Sequence, residues 1–258
     1  MPSYSLFRRR PLAAVLLATL LLLSLAAATA ARASVVIAGT RVIYNGARDR
    51  EVTIKLTNEG KAPALVQSWL DNGDPSAPPA SISVPFVLTP PVARIDAGKG
   101  QSLRIVYTGE PLPADRESVF WLNVLEVPPR PSAEEAGPNK LQLAFRSRIK
   151  FFYRPAGLKG EAGEAPAKLV WRLARADGQL MLECHNPTAF HVSVVSVELA
   201  DGSKRAVNDR GVMVGPGETA RFPLKGDAPA GQDSKVRYHT LNDWGGSNDG
   251  EAPLAGAN

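Results

Sequence analysis

The sequence predicts an all-β fold of the sandwich class, and three observations support this prediction. Apolar and polar residues alternate along "EVTIKLTN" (51–58) and again along "QSLRIVY" (101–107), as expected of strands with one buried face. Turn dipeptides separate such runs, at Asn45-Gly46, Asp177-Gly178 and Asp201-Gly202. No stretch keeps a helical period over more than two turns. Short strands that are spaced by turns are typical of a β-sandwich.

One predicted strand differs from the others. The segment "SVFWLNVLEV" (118–127) is apolar on both faces. A strand of this kind usually has neighbours on both sides or is covered by a second surface. We therefore expect residues 118–127 to lie at the centre of a sheet.

The first 33 residues predict a secretory signal peptide. Three arginines (8–10) precede an apolar stretch (12–30), and the small residues of "ARAS" (31–34) indicate cleavage after Ala33. An uncleaved membrane anchor stays open as the alternative, because the apolar stretch approaches spanning length.

Removal of this segment changes the charge of the chain. The segment carries four arginines and no acids, so the formal net charge falls from +5 to +1 (5 − 4). The mature chain therefore lacks the basic balance of a nucleic-acid-binding protein, and we expect no nucleic-acid partner. It contains no further hydrophobic span, so we expect no membrane insertion of the mature chain.

The mature chain of 225 residues (258 − 33) is long enough for two domains of about 100 residues each. The segment "AGLKGEAGEAPA" (156–167) has no apolar periodicity and predicts a linker between an N-terminal domain (34–155) and a C-terminal domain (168–258). Within the first domain, "PPRPSAEEAGPN" (128–139) predicts a long hairpin loop. The polar tail from Gly245 onward is expected to fray.

The sequence offers no recognisable catalytic or metal site. His185, His191 and His239 are the only histidines, and they do not form the spaced ligand pairs of a structural zinc site, which needs four ligands. No phosphate loop, nucleophile elbow or distinctive carboxylate pair is present. Cys184 is the single cysteine, so no internal disulfide forms, and its place on an apolar strand face indicates a buried apolar residue. We expect neither an enzyme nor a bound cofactor or metal.

The segment 140–154 predicts a strand with two unlike faces. Alternation sends three apolar residues to one face and three cations to the other. The apolar row is Leu141, Leu143 and Phe145, and the cations are Arg146, Arg148 and Lys150.

Seven stretches carry a resemblance that covers nearly all of the mature chain. They are "TRVIYNG" (40–46), "LVQSWLD" (65–71), "TPPVARIDAG" (89–98), "LPADRESVFWLNVLEVPPR" (112–130), "RIKFFYRP" (148–155), "NPTAFHVSV" (186–194) and "LNDWGG" (241–246). In this order they resemble the periplasmic pilus-assembly chaperones of the chaperone–usher pathway, the PapD-like family. The resemblance implies two immunoglobulin-like β-sandwich domains in a boomerang arrangement. It also implies a periplasmic chaperone that stabilises incomplete pilus or fimbrial subunits by donor-strand complementation and delivers them to an outer-membrane usher.

The resemblance also assigns roles to individual residues. It implies that Leu141, Leu143 and Phe145 enter the hydrophobic groove of a subunit that lacks its last strand. On alternation alone, the alternative that they face their own domain core stays open. Arg41 and Lys150 match the residues that hold the C-terminal carboxylate of the subunit in this family.

The two rows of this strand have opposite parity, so a flat strand cannot direct both at one ligand. Strand twist, or a β-bulge near Ser147, is expected to reorient part of the strand. Arg146 and Arg148 match no anchor of the family, and we interpret them as solvated charges.

Glu117, Arg154 and Asp243 match the interdomain ion-pair network of the family, which predicts that they hold the angle between the domains. The alternative is that they are three independent surface charges. The loop at 128–139 is nearer the short-loop than the long-loop form of the family.

Two other functions stay open from the residues alone. An exported immunoglobulin-like module for binding or adhesion would need neither Arg41 nor Lys150. A periplasmic hydrolase would need a catalytic site that no motif indicates.

Overall fold

The computed structural model describes residues 34–127, 143–176, 178–201, 204–227, 229 and 234–255. The predicted signal peptide, the predicted loop at 128–139 and Leu141 lie outside the described residues. Among the residues that are described, no helix is long and apolar enough to cross a membrane.

The first half of the described chain forms two sheets that enclose one core. Its strands are β1 (Val35–Ile37), β2 (Arg41–Asn45), β3 (Val52–Asn58), β4 (Ala64–Asp71), β5 (Phe86–Thr89), β6 (Val92–Ile95), β7 (Gly100–Tyr107), β8 (Ser118–Val127) and β9 (Phe145–Arg154), with a short 3₁₀ helix at Pro79–Ser81. One sheet has the order β1-β3-β7-β5 and the other the order β2-β9-β8-β4-β6. Leu56 and Ile105 from the first sheet pack with Leu122 and Phe151 from the second, and all four are fully buried.

The second half repeats this plan. Its strands are β10 (Val170–Ala176), β11 (Gln179–His185), β12 (Val192–Asp201), β13 (Lys204–Asn208), β14 (Val212–Val214), β15 (Thr219–Pro223), β16 (Lys225–Gly226), β17 (Lys235–Leu241) and β18 (Ser247–Pro253), and a 3₁₀ helix covers Ala162–Lys168. The sheets have the orders β10-β11-β15 and β16-β13-β12-β17-β18, with β14 beside β12. Trp171, Leu182 and Phe222 pack with Leu199 and Val236 in the core between them. The predicted all-β sandwich class is confirmed.

Two local predictions are also confirmed. β8 lies between β9 and β4, at the centre of the five-stranded sheet. Its two apolar faces have different surroundings, since Leu122 and Val124 lie in the core while Trp121 lies on the opposite face. Cys184 is completely buried, and this burial raises the pKa of its thiol to about 12, which makes the thiolate inaccessible at neutral pH.

The prediction that the tail frays from Gly245 onward is wrong. β18 pairs with β17 along its full length, and Leu254 forms a further bridge to Trp171. The side chains of β18 are mostly polar because it is an edge strand, and its backbone hydrogen bonds do not depend on an apolar pattern.

The predicted linker is not featureless either. Its second half forms the 3₁₀ helix at Ala162–Lys168, in which Ala165 is buried in the second core. The hydroxyl of Tyr238 donates a 2.8 Å hydrogen bond to the carbonyl of Pro166. One small apolar side chain gives no periodicity, so the sequence pattern does not indicate this contact.

Candidate functional site

The edge of β9 is only partly occupied. β9 is antiparallel to β8 along its whole length, from Phe145 opposite Glu126 to Tyr153 opposite Ser118. On its other side β2 pairs in parallel, but only from Lys150 onward. Within the described residues, positions 145–149 therefore have no strand neighbour on this edge. An unpaired edge of this kind exposes backbone donors and acceptors to a further strand.

Arg41 and Lys150 stand where this free edge ends. They are direct partners in the parallel register of β2 and β9. Their neighbours Val42 and Phe151 point into the core, so both cations lie on the opposite face of the sheet, which we call the outer face. The sequence places the two residues 109 positions apart (150 − 41), and the fold makes them adjacent.

Neither cation has a carboxylate partner within the part of the chain that the structure describes. Arg41 donates one 3.4 Å hydrogen bond from Nη1 to the carbonyl of Leu241, and its buried Nε has no acceptor there. The ammonium of Lys150 lies 5.5 Å from the centre of the Trp121 ring. Buried nitrogen donors are usually hydrogen-bonded, so an unpaired Nε is an unusual feature of Arg41.

The electrostatics of the pair favour an anion. Burial, followed by the positive charge of Arg41, lowers the pKa of Lys150. Burial also lowers the pKa of Arg41, although the charges of Asp243 and Glu117 partly offset this. Two like charges are thus held close together in a partly dry place, and an entering carboxylate relieves their repulsion.

Phe145, which begins β9, lies on the other face of this strand, the face that it shares with Phe151. Leu143 and Phe145 are 53% and 37% exposed, so neither belongs to the domain core. The register between β8 and β9 continues without a shift from Glu126 to Ser118. Of the two alternatives, a β-bulge near Ser147 is therefore excluded, and Phe145 and the cations of β9 project from opposite faces of the strand.

The interpretation of Arg146 and Arg148 as solvated charges is wrong for Arg148, while Arg146 is exposed but also hydrogen-bonded. Arg148 donates two hydrogen bonds to the fully buried carboxylate of Asp71, at 3.0 Å and 2.6 Å, and its guanidinium lies 4.1 Å from the Trp121 ring. Arg146 donates to Oδ1 of Asn123 at 2.8 Å and 2.6 Å and lies 5.0 Å from the ring of Trp69. Both partners come from strands β4 and β8, which alternation within one strand cannot reveal.

Glu117, Arg154 and Asp243 are brought together by the fold. Arg154 donates to Glu117 at 2.7 Å and to both oxygens of Asp243 at 2.6 Å and 2.7 Å. Burial alone would lower the pKa of Arg154, but the hydrogen bonds and charges of Asp243 and Glu117 outweigh it and raise the pKa. Glu117 and Arg154 belong to the first sandwich and Asp243 to the second. The alternative of three independent surface charges does not fit these contacts.

The sequence reasoning missed a fourth member of this network. The backbone nitrogen and Nδ1 of His191 each lie 2.8 Å from the second carboxylate oxygen of Glu117. His191 also packs its ring 5.7 Å from that of Phe152. His191 is 74 residues away from Glu117, and no local pattern links the two. The position of Trp121 on the outer face could have been predicted from the sequence, because a strand that is apolar on both faces directs some of its large apolar side chains away from the domain core.

Replacing Arg154 with Ala should lower the free energy of unfolding by about 2 kcal/mol, because the buried carboxylate of Glu117 would keep its desolvation cost and lose its strongest partner. Urea unfolding of the purified protein measures this. Arg116→Ala is the matched control, since Arg116 adjoins Glu117 in sequence but pairs with the exposed Asp115. Its effect should stay below about 0.5 kcal/mol. Equal effects of the two substitutions would show that the network contributes nothing to stability.

Comparison with protein families assigns both halves of the chain. Residues 34–159 match the family model described as "Pili and flagellar-assembly chaperone, PapD N-terminal domain". Residues 164–252 match the model described as "Pili assembly chaperone PapD, C-terminal domain".

Individual proteins give the same result. The chain is 48% identical over 224 residues to the probable fimbrial chaperone YadV of Escherichia coli (86% of this chain, 90% of that protein). It is 47% identical over 255 residues to the chaperone protein FimB/FhaD of Bordetella pertussis (96% of this chain, 98% of that protein).

Solved structures are also similar. The crystal structure of the YadV chaperone has a TM-score of 0.73 and 44% identity, over 86% of this chain and all of that one. The Salmonella enterica SafB chaperone in complex with the SafA pilin has a TM-score of 0.71 and 27% identity, over 88% of this chain and 99% of that one.

Proposed function

The chain belongs to the PapD family and is a chaperone of pilus assembly, and on that premise we propose that it captures pilus subunits by adding β9 to them as a donor strand. The observation that carries this proposal is the free edge of β9, which leads directly into the paired cations Arg41 and Lys150. β-Strand addition of this kind combines backbone hydrogen bonds with side-chain pockets. The solved complex of SafB with a pilin supports a pilus subunit as the partner.

The geometry of the edge favours one direction for the added strand. β2 is parallel to β9 and begins at Arg41. A subunit strand that pairs with residues 145–149 in line with β2, and in the same direction, ends beside Arg41 and Lys150. Its C-terminal carboxylate then meets two cations, whereas an antiparallel strand would direct this carboxylate away from them. We propose that the two cations select the parallel strand by charge.

The same geometry explains how the apolar residues and the cations can serve one ligand although they lie on opposite faces of the strand. A terminal carboxylate is a backbone group and continues the line of the strand, so it can reach cations on the outer face without changing its side-chain alternation. Phe145 meanwhile points to the opposite face, where we propose that it enters the groove of the subunit together with Leu141 and Leu143. Fixing the carboxylate also fixes the register, because a slip of one residue would turn every side chain to the wrong face.

We propose that Glu117, Arg154, Asp243 and His191 hold the two sandwiches in a fixed relation around this site. Arg41 supports this role, since it donates to the carbonyl of Leu241, two residues before Asp243. A network of buried charges gives defined geometry more reliably than it gives stability. The cleft would then keep its shape before a subunit arrives, and less ordering would be needed on binding.

Delivery of the captured subunit to an outer-membrane usher is typical of the family, and we propose it for this chain. We also propose that the protein acts in the periplasm and catalyses no reaction.

Processing of the precursor after Ala33 completes this proposal, and the contacts of Ser34 support it. The backbone nitrogens of Ser34 and Val35 each lie 3.0 Å from Oε2 of Glu126, and the Ser34 hydroxyl also contacts this carboxylate. Cleavage turns the Ser34 nitrogen into an ammonium group, which makes the existing contact a charge-assisted one. Glu126 lies opposite Phe145 in the register, so the new N-terminus stands beside the start of the donor strand.

We expect the exported protein to begin at Ser34, which N-terminal sequencing measures. In that protein Glu126→Gln should lower the free energy of unfolding by about 1 kcal/mol, and acetylation of the α-amino group should remove most of this difference. Glu59→Gln is the control, because Glu59 donates its backbone N–H to the Ser34 carbonyl while its own carboxylate is exposed. An effect of Glu126→Gln that is unchanged by acetylation would contradict an ion pair.

The function itself is tested by co-expression in the periplasm of a bacterial host. A subunit that lacks its last strand should be recovered intact with this protein and degraded or aggregated without it. Identification of the bound polypeptide by mass spectrometry completes the experiment. Recovery of a stable subunit in the absence of this protein, or no association between the two, would favour the adhesive module.

A further inference from the structure

Lys150 belongs to a row of side chains that crosses four neighbouring strands on the outer face. In the registers of the sheet, Asp71 on β4 lies opposite Trp121 on β8, Trp121 lies opposite Lys150 on β9, and Lys150 lies opposite Arg41 on β2. Residues that are directly opposite on one face of a sheet lie close together, about 5 Å between Cβ atoms in an antiparallel pair, so each member of the row is a neighbour of the next. The row contains two cations and one carboxylate.

The carboxylate of this row, that of Asp71, accepts hydrogen bonds from groups that lie outside the row. Asp71 accepts two hydrogen bonds from Arg148, one of 2.7 Å from Nδ2 of Asn123 and one of 2.8 Å from the backbone nitrogen of Gly73. Burial alone would raise the pKa of Asp71, but these hydrogen bonds outweigh it and lower the pKa. Asp71 therefore stays ionised, and its charge is neutralised chiefly by Arg148, with Nη2 of Arg146 at 3.7 Å as a second, more distant cation.

Trp121 contacts two of the cations of β9, Arg148 and Lys150. The guanidinium of Arg148 lies 4.1 Å from its ring centre and the ammonium of Lys150 lies 5.5 Å from it. A cation over an indole face is attracted by the ring without using its N–H donors. Trp121 thus holds the ammonium of Lys150 in place while its hydrogen-bonding capacity stays available.

From this arrangement we propose that Trp121 is a positioning residue for the carboxylate anchor, and that the pair of Arg148 and Asp71 keeps Trp121 and Lys150 in the state that receives a ligand. Arg148 has two roles in this arrangement. Its guanidinium packs on the indole of Trp121, and it pairs with the carboxylate of Asp71, which would otherwise attract the ammonium of Lys150. The proposal rests on the proposed function of Lys150, which it deepens.

The experiment uses two synthetic peptides with alternating apolar residues, which differ only in a free or an amidated C-terminus. The ratio of their affinities isolates the contribution of the carboxylate. For the wild-type protein we expect a clear preference for the free carboxylate. For Trp121→Leu we expect this preference to fall about ten-fold while affinity for the amidated peptide is unchanged. A purely structural role would weaken both peptides equally.

Trp69→Leu is the matched control, because Trp69 lies on the same face under Arg146 and is one row away from Lys150. It should leave the ratio unchanged. Trp121→Phe keeps an aromatic face and should retain part of the preference, which covers the case in which Trp121→Leu does not fold. In addition, replacing Arg148 with Met should reduce the ratio, since the indole loses the guanidinium that packs on it and Asp71, left with the more distant Arg146, competes for Lys150.

The outcomes separate the two proposals. A wild-type protein without any preference for the free carboxylate contradicts the proposed anchor itself. A wild-type preference that Trp121→Leu or Trp121→Phe leaves intact overturns the positioning role and leaves the anchor standing. Equal losses in the Trp121 and Trp69 variants also overturn it.

Discussion

Replacing Lys150 with Met should weaken binding of a subunit peptide with a free C-terminal carboxylate by at least about 2 kcal/mol, or roughly thirty-fold. The methionine keeps most of the stem and removes the charge, so the carboxylate retains its desolvation cost and loses a donor. Isothermal titration with the free and the amidated peptide measures the effect. Lys55→Met is the control, since Lys55 is an exposed lysine on β3 in the other sheet.

The amidated peptide sharpens this prediction. If Lys150 contacts the carboxylate, amidation and Lys150→Met remove the same interaction, and their combined effect should be far less than additive. Arg41→Gln should behave in the same way. Fully additive losses would show that Lys150 acts elsewhere in the interface.

The pH dependence follows from the lowered pKa of Lys150. Because burial and the charge of Arg41 lower this pKa, Lys150 loses its proton at a lower pH than an exposed lysine does. The preference for a free carboxylate should therefore be complete below this pKa and decline as the pH rises through it. Lys150→Met should show no such decline over the same interval.

The double substitution of Leu143 and Phe145 by Ser should abolish capture of an incomplete subunit in the periplasm. Full burial of each side chain contributes about 1.5–3 kcal/mol, and since Leu143 is 53% and Phe145 37% exposed in the free protein, about half of this gain for Leu143 and a third for Phe145 comes on binding. Loss of both should reduce affinity by about ten-fold to a hundred-fold. Co-purification of the subunit, with quantification by mass spectrometry, measures the result.

The stability of the double variant tests whether Leu143 and Phe145 serve the groove of the subunit or the core of their own domain. Since Leu143 and Phe145 lie outside the core cluster, the urea midpoint of the double variant should remain close to that of the wild type. Val87→Ser with Val106→Ser is the matched control, because these two valines form an equally exposed cross-strand pair in the other sheet. It should leave capture unchanged. Loss of cooperative unfolding in the Leu143 and Phe145 variant would mean that these side chains stabilise their own domain.

The residues differ in how far the sequence alone could place them. Alternation within short windows predicted most of the sandwich, because a strand with one buried face must alternate regardless of its partners. The central position of 118–127 followed instead from a segment that is apolar on both faces. The resemblance to a known family supplied Arg41, Lys150, Glu117, Arg154 and Asp243 as a set. The fold then places Arg41 beside Lys150 and Arg154 between the two acids.

Other features depended on contacts between distant strands. The sequence suggests solvated charges at Arg146 and Arg148, because their partners Asn123 and Asp71 lie on other strands. These residues become neighbours only through the registers of β4, β8 and β9. The sequence predicts a frayed tail after Gly245, because the backbone hydrogen bonds that hold an edge strand leave no apolar pattern in its side chains.

The sequence by itself determined the class of fold and the residue types of the site, since both follow from local alternation and from motifs that stand in one stretch. Only the tertiary structure decided which charges are neutralised. Arg148 is paired with Asp71, while Arg41 and Lys150 have no carboxylate within the described residues. The physical reason is that a buried cation is neutralised only by a carboxylate within a few ångströms of it, and strand register sets that distance.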